Sequence, residues 1–100
     1  MELTKEICNV IDYIAKKYSP LQIYLYNRRV GLQNNTTSFK LCAILETPDK
    51  ACTEHEIYMN IDSTIPFDVL VYTPAEWEGL LADNTSFASR IKENGVIVYG

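Results

Sequence analysis

Leu3, Ile7, Val10, Ile11, Ile14 and Tyr18 recur at three- and four-residue steps and form one apolar stripe. That spacing predicts an amphipathic first helix. Thr4 is placed to cap its start, and Ser19-Pro20 stops it, because a residue before proline avoids the helical region. Ile23 to Tyr26 is apolar at every position and reads as an internal strand. Asn27-Arg28-Arg29-Val30-Gly31 reads as a polar loop, and Gln33 to Thr37 as a polar turn. Phe39 to Glu46 is the second strand.

Thr47-Pro48 then opens a helix, with Thr47 as cap and Pro48 in the first turn, running to about Ile61. Asp62-Ser63-Thr64 breaks it, and Ile65 to Tyr72 is the third strand. Thr73-Pro74-Ala75-Glu76 carries a capping box with proline at the first helical position. Trp77, Leu80 and Leu81 supply the buried face of that short helix. Asn84-Thr85-Ser86 starts a last helix with Phe87, Ala88 and Ile91 as its apolar positions. Asn94-Gly95 predicts a left-handed cap, and Val96 to Tyr99 a closing strand. The order is α-β-(loop or helix)-β-α-β-α-α-β. It predicts a mixed α/β (α+β) domain with a sheet of about four strands and helices packed on it.

One hundred residues fit a single domain spanning 1–100 with one modest core. The apolar share is 47%, with seven Tyr and three Phe as large core pieces. No apolar run approaches a membrane span, and Met1 to Glu6 lacks a basic segment followed by an apolar one. The expected location is the cytoplasm. A formal charge of −4 and a pI near 4.8 argue against general nucleic-acid binding, which depends on neutralising phosphates. Cys8, Cys42 and Cys52 are odd in number and dispersed, which argues against a disulfide framework or a zinc site and for buried small hydrophobes.

Ile23-Tyr24-Leu25-Tyr26-Asn27-Arg28, then Ser38-x-Lys40-Leu41-Cys42-Ala43-Ile44-Leu45, then Pro66-Phe67-Asp68-Val69-Leu70-Val71-Tyr72-Thr73-Pro74 form an ordered set of motifs. With Ser86-Phe87-x-x-Arg90-Ile91 and Gly95-Val96-Ile97-Val98-Tyr99, this set resembles the minimal nucleotidyltransferases of the polymerase-β-like superfamily. The resemblance covers nearly the whole chain and implies a nucleotidyltransferase-like fold. In that family the first strand ends in Gly-Ser and the second opens with Asp-x-Asp. Asn27-Arg28 stands at the first motif here and Ser38-x-Lys40 at the second. Asp68 falls at the third carboxylate.

Two Asp at i and i+2 on a strand share a face and can hold one magnesium cluster, whose charge stabilises the transferring phosphoryl group. Serine is a weak neutral ligand, lysine is a cation, and Asp68 alone cannot hold a metal pair. What the resemblance implies is therefore a pseudoenzyme with no metal and no cofactor, a catalytically degenerate domain acting as an interaction module. Small members of the family are antitoxin-like partners of a helical HEPN protein, so the same kind of partner is implied. Self-association through the last strand is open in every reading.

Two alternatives stand beside this one. An active Mg-dependent nucleotidyltransferase would transfer a nucleotide to a protein or small-molecule hydroxyl, with carboxylates such as Glu46 or Asp62 relocated toward Asp68. A metal-free nucleotide or anion site would use Asn27, Arg28, Arg29 and Lys40, since arginine forks match phosphate oxygens. Asn27 tolerates the positive φ that a phosphate-cradling turn needs.

Lys40 and Asp68 are expected to face one way on adjacent strands and to form a half-buried ion pair. His55 lacks a partner at ligand spacing and reads as a solvated residue. Tyr24 and Tyr26 read as core-edge residues and Trp77 as a packing anchor. Glu46, Asp49, Glu54 and Glu56 read as a solvated helix surface.

Overall fold

A computed structural model describes residues 3–100, so Met1 and Glu2, part of the segment read for a leader, lie outside the described residues. Four helices and four strands follow in order α1 (Lys5–Tyr18), β1 (Gln22–Val30), β2 (Thr36–Ile44), α2 (Lys50–Asn60), β3 (Phe67–Tyr72), α3 (Pro74–Leu81), α4 (Phe87–Asn94) and β4 (Val96–Tyr99). The sheet order is β3-β2-β1-β4. β1 runs antiparallel to β2 and β4, and β2 runs parallel to β3, with α2 as the crossover. The class is α+β with a mixed four-stranded sheet. No helix among the described residues is long and apolar enough to cross a membrane.

Each face of the sheet carries its own apolar cluster. Ile7, Val10, Ile11 and Ile14 of α1 and Ile57 of α2 pack on Ile23, Leu25, Phe39, Leu41, Ala43, Val69 and Val71. On the other face Trp77 of α3 and Ala88 and Ile91 of α4 pack on Tyr24, Cys42 and Ile44. The period-two alternation of the strands sends neighbouring residues to opposite faces, so Leu41 and Cys42 belong to different clusters. Trp77 is the anchor the sequence predicts, its ring 5.3 Å from Tyr24 and 5.7 Å from Tyr72.

Several local expectations change. The segment 27–30 is strand, not loop. The β1–β2 ladder slips by one residue between Tyr26 and Arg29, and this bulge lets the strand pass through Asn27 and Arg28. The hairpin beyond it is exposed, so no apolar alternation marks it in the sequence. A short 3-10 turn, Leu32–Asn34, closes it.

Helix α2 starts after Asp49, whose carboxylate accepts from the Cys52 N–H at 3.1 Å. Thr47 instead bonds the Thr53 hydroxyl at 2.7 Å. Leu80 is exposed, leaving Trp77 and Leu81 to anchor α3. Cys42 is buried, but Cys8 is half-buried and Cys52 exposed.

Glu54 and Tyr58, one turn apart on α2, hold the outer edge of β3. The Val69 N–H donates to Tyr58 Oη at 2.7 Å, and the Val71 N–H donates to Glu54 Oε2 at 2.8 Å. Glu56 accepts from the Tyr18 hydroxyl and pairs with Lys17 at 3.1 Å, tying the end of α1 to α2. Asp49, Glu54 and Glu56 are therefore structural contacts rather than a solvated surface.

Gly95 is not a left-handed cap. Its φ is −82°, and its N–H closes α4 on the Ile91 carbonyl at 2.7 Å. The glycine is needed for space. A Cβ there would lie 2.6 Å from the Ile91 carbonyl oxygen and 3.2 Å from that of Leu25. Gly95→Ala is expected to lower unfolding free energy by about 1–3 kcal/mol through backbone displacement, measured by urea denaturation. An unchanged midpoint would show that the α4–β4 junction yields freely.

Candidate functional site

Helices α3 and α4 cover only part of their sheet face. Beyond Cys42 the strands continue uncovered, and the register sets a row of side chains across them. Tyr26 of β1 opposes Lys40 of β2, and Lys40 opposes Asp68 of β3. Residues directly opposite one another share a face. Ser38 lies two residues before Lys40 on that same face and opposes Arg29. The structure thus brings Ser38, Lys40 and Asp68 together, as the sequence predicts, in a cleft of about 110 Å³ lined also by Phe39, Pro66 and Phe67. Phe39 and Phe67 stack 5.6 Å apart at its edge.

Lys40 Nζ stands 3.8 Å from Asp68 Oδ2, with side chains 44% and 66% exposed. The pair exists, with Lys40 half-buried and Asp68 exposed, at the end of β2 that α3 and α4 leave uncovered. No group of three or more His, Cys, Asp or Glu among the described residues is arranged to hold a metal ion. Glu46 follows the buried end of β2, on the far side of Cys42 and Ile44 from the cleft, and His55 is exposed on α2.

Asn27 has φ +50°. It has the positive φ expected of it and lies in the bulge of β1. It lines a cavity of about 290 Å³ with Tyr26, Phe87, Arg90, Ile91 and Asn94. The four helical residues stand at i, i+3, i+4 and i+7, so they form one face of α4 turned to β1. That spacing was readable in the sequence, although Phe87 and Ile91 read there only as packing residues. Tyr26 and Phe87 meet edge-to-face at 5.8 Å. Arg29 shares the face of Ser38 and Lys40, and Arg28 is half-buried within the bulge.

Burial pushes the Tyr26 phenol up to about 12, with Cys42 and Asp68 adding to the effect, so the ring keeps its proton and can donate at neutral pH. Burial also pushes the Cys42 thiol up to about 12, with Glu54 adding to it, so it is inert as a nucleophile. In comparisons with known proteins, the chain matches no family model, no curated protein and no solved structure.

Two measurements follow from this geometry. In a double-mutant cycle of Lys40→Met and Asp68→Asn, the coupling should be about 0.2–1 kcal/mol, as for exposed pairs. A coupling above about 2 kcal/mol would mean that the pair is shielded from water. Folding raises the Cys42 and Tyr26 pKa values above their ordinary 9.0 and 10.0. Both favour the neutral form in the fold, so the stability they contribute is intact below those ordinary values and lost as pH rises toward about 12. The urea midpoint should hold to near pH 9 and then fall, and Cys42→Ala should remove the earliest part of that fall. An onset unchanged by Cys42→Ala would reject the assignment.

Proposed function

We propose that the chain is a catalytically degenerate nucleotidyltransferase-like domain of the cytoplasm that works by binding a protein partner. The observation that carries this reading is the register of β2 on β3, which sets the Lys40 ammonium opposite Asp68. Where the resemblance implies a cluster of carboxylates, the cleft holds a hydroxyl, an amine and one carboxylate. Its charge is neutralised internally, so it has little left with which to attract a divalent cation.

The partner-facing surface in this reading is the β1–β2 hairpin. Pairing to β4 ends at Leu25 and pairing to β3 ends at Phe39, so residues 27–38 run on as a two-stranded arm. Leu32 at its tip is 93% exposed. Residues 27–45 carry Arg28, Arg29 and Lys40 and no acid. The chain has nine basic and thirteen acidic residues, so the remainder holds a formal −7. A basic arm with an apolar tip fits an acidic groove with an apolar pocket. A helical HEPN protein, the partner the resemblance implies, is the proposed occupant.

A second reading has its own observation. Arg90, Asn27 and Asn94 beside the Tyr26 and Phe87 rings give the 290 Å³ cavity both cation and aromatic chemistry. That suits a nucleotide held without metal.

One set of assays tests both. Labelled nucleoside triphosphates with magnesium or manganese should transfer no nucleotide to the protein or to added acceptors, and Ser38→Asp with Lys40→Asp should create manganese binding that the unaltered chain lacks. Metal-dependent transfer by the unaltered chain would overturn the first reading. ATP binding without metal, abolished by Arg90→Ala, would establish the second.

A further inference from the structure

β3 is the longer of the two edge strands, with six residues against four in β4. Phe67-Asp68-Val69-Leu70-Val71-Tyr72 is aromatic and β-branched, with one charge, no proline and no glycine. A bare edge of that composition pairs readily with other strands. Pro66 and Tyr72 turn their carbonyls to β2, where they accept from the Phe39 and Leu45 N–H groups at 3.3 and 3.0 Å. Backbone groups alternate in direction along a parallel strand, so those of Asp68 and Leu70 face β2 while those of Val69, Val71 and Thr73 face outward. The three outward N–H groups from Val69 to Thr73 are all taken. Val69 donates to Tyr58 Oη at 2.7 Å, Val71 to Glu54 Oε2 at 2.8 Å and Thr73 to Glu76 Oε1 at 3.0 Å. Lys50 Nζ holds the other oxygen of Glu76 at 2.7 Å.

Lys50, Glu54 and Tyr58 stand four residues apart on α2. They serve Thr73 (by way of Glu76), Val71 and Val69 in turn, two residues apart on the edge and in reverse order. Four residues of helix rise about 6 Å and two residues of strand about 6.6 Å. A helix running antiparallel to an edge strand therefore matches it step for step, one side chain to each outward N–H. We propose that this stripe of α2 is a surrogate strand that closes the β3 edge to any added strand. An incoming strand has to displace a phenol and a carboxylate from the N–H groups its own carbonyls need, and a carboxylate is the stronger acceptor. Tyr58 acts twice, since its hydroxyl also lies 3.4 Å from the Val69 carbonyl. Packing does not account for these residue types. Thr53 and Ile57 supply the buried face of α2, whereas Tyr58 is 40% exposed. The surrogate strand is independent of how the cleft is read, and either stands without the other.

Amide hydrogen exchange of the full chain, followed residue by residue by NMR, tests the cover. The Val69 and Val71 amides should be protected in the unaltered protein. Tyr58→Phe should speed exchange at Val69, and Glu54→Ala at Val71, each by roughly tenfold or more. Leu70, whose N–H faces β2, should be unchanged. Glu54→Gln keeps an acceptor and should restore most of the protection at Val71. Light scattering of stirred solutions tests the consequence. Glu54→Ala combined with Tyr58→Phe, with its circular dichroism retained, should aggregate faster than the unaltered chain. Glu56→Ala cuts the tie between α1 and α2 but leaves the edge covered. It should not aggregate faster when both variants are held equally far below their thermal midpoints. Val69 and Val71 amides that exchange no faster in the variants would overturn the proposal. So would a double variant that scatters no more than the unaltered chain. A Glu56→Ala variant that aggregates as fast as the double one would overturn it too, because lost stability and not an opened edge would then be the cause.

Discussion

β2 is the strand on which the rest of the molecule is assembled. It is hydrogen-bonded on both sides, antiparallel to β1 and parallel to β3, and from Leu41 to Leu45 the chain is buried on both faces. A one-residue slip in its pairing would move Leu41 and Ala43 from the α1–α2 cluster to the α3–α4 cluster and send Lys40 into the core. The cost of burying that ammonium is several kcal/mol, so the register is fixed by charge as well as by packing. Because it is fixed, so are the neighbours of Lys40: Tyr26 on one side and Asp68 on the other.

The candidate site is where that strand runs out of cover. α4 ends near β1, and α3 packs over Tyr24 and Tyr72, so Ser38, Lys40 and Asp68 lie past the end of the helical layer. The 290 Å³ cavity lies at the same border, lined by Phe87 and Arg90 of α4 and by Tyr26 and Asn27 of β1. Two clefts of different chemistry thus flank one row of the sheet. One is bounded by a salt bridge, the other by an arginine, two carboxamides and two rings.

Much of this was legible in the sequence, and the exceptions share a cause. The stripe of α1 and the capping box at Thr73 are short patterns whose partners are close in sequence, and the placement of Lys40 against Asp68 is what the resemblance implies. The signals that failed depend on contacts that residue type alone does not specify. Thr47 and Asp49 are both capping residue types, and the carboxylate of Asp49 takes the Cys52 N–H while Thr47 is held by Thr53. Asn94-Gly95 has the composition of a left-handed cap, but the closeness of the Ile91 carbonyl, with that of Leu25 behind it, and not φ, is what demands glycine. Glu54 and Tyr58 look like solvent residues until β3 arrives with two unpaired N–H groups. The exposure of the Lys40–Asp68 pair likewise depends on where α3 and α4 stop, which no local pattern records.

Lys40 also decides what kind of surface the cleft can be. Neighbouring strands stand about 4.8 Å apart, so directly opposed charges interact, though water weakens the effect where both are exposed. Two carboxylates at that spacing repel, and a sheet carrying them needs a cation to relieve the repulsion. Lysine reverses the sign of that interaction. That row then carries no repulsion for a bound cation to relieve. Ser38 adds no charge on the same face, and Arg29 opposite it adds a positive one. The local field therefore leans positive at the arm end of the row and falls to neutral at Asp68, while most of the chain's acids lie elsewhere. Among the described residues the row therefore offers a divalent cation a single carboxylate, Asp68. That charge pattern is what the proposed reading, contact with a partner rather than chemistry on a phosphate, rests on.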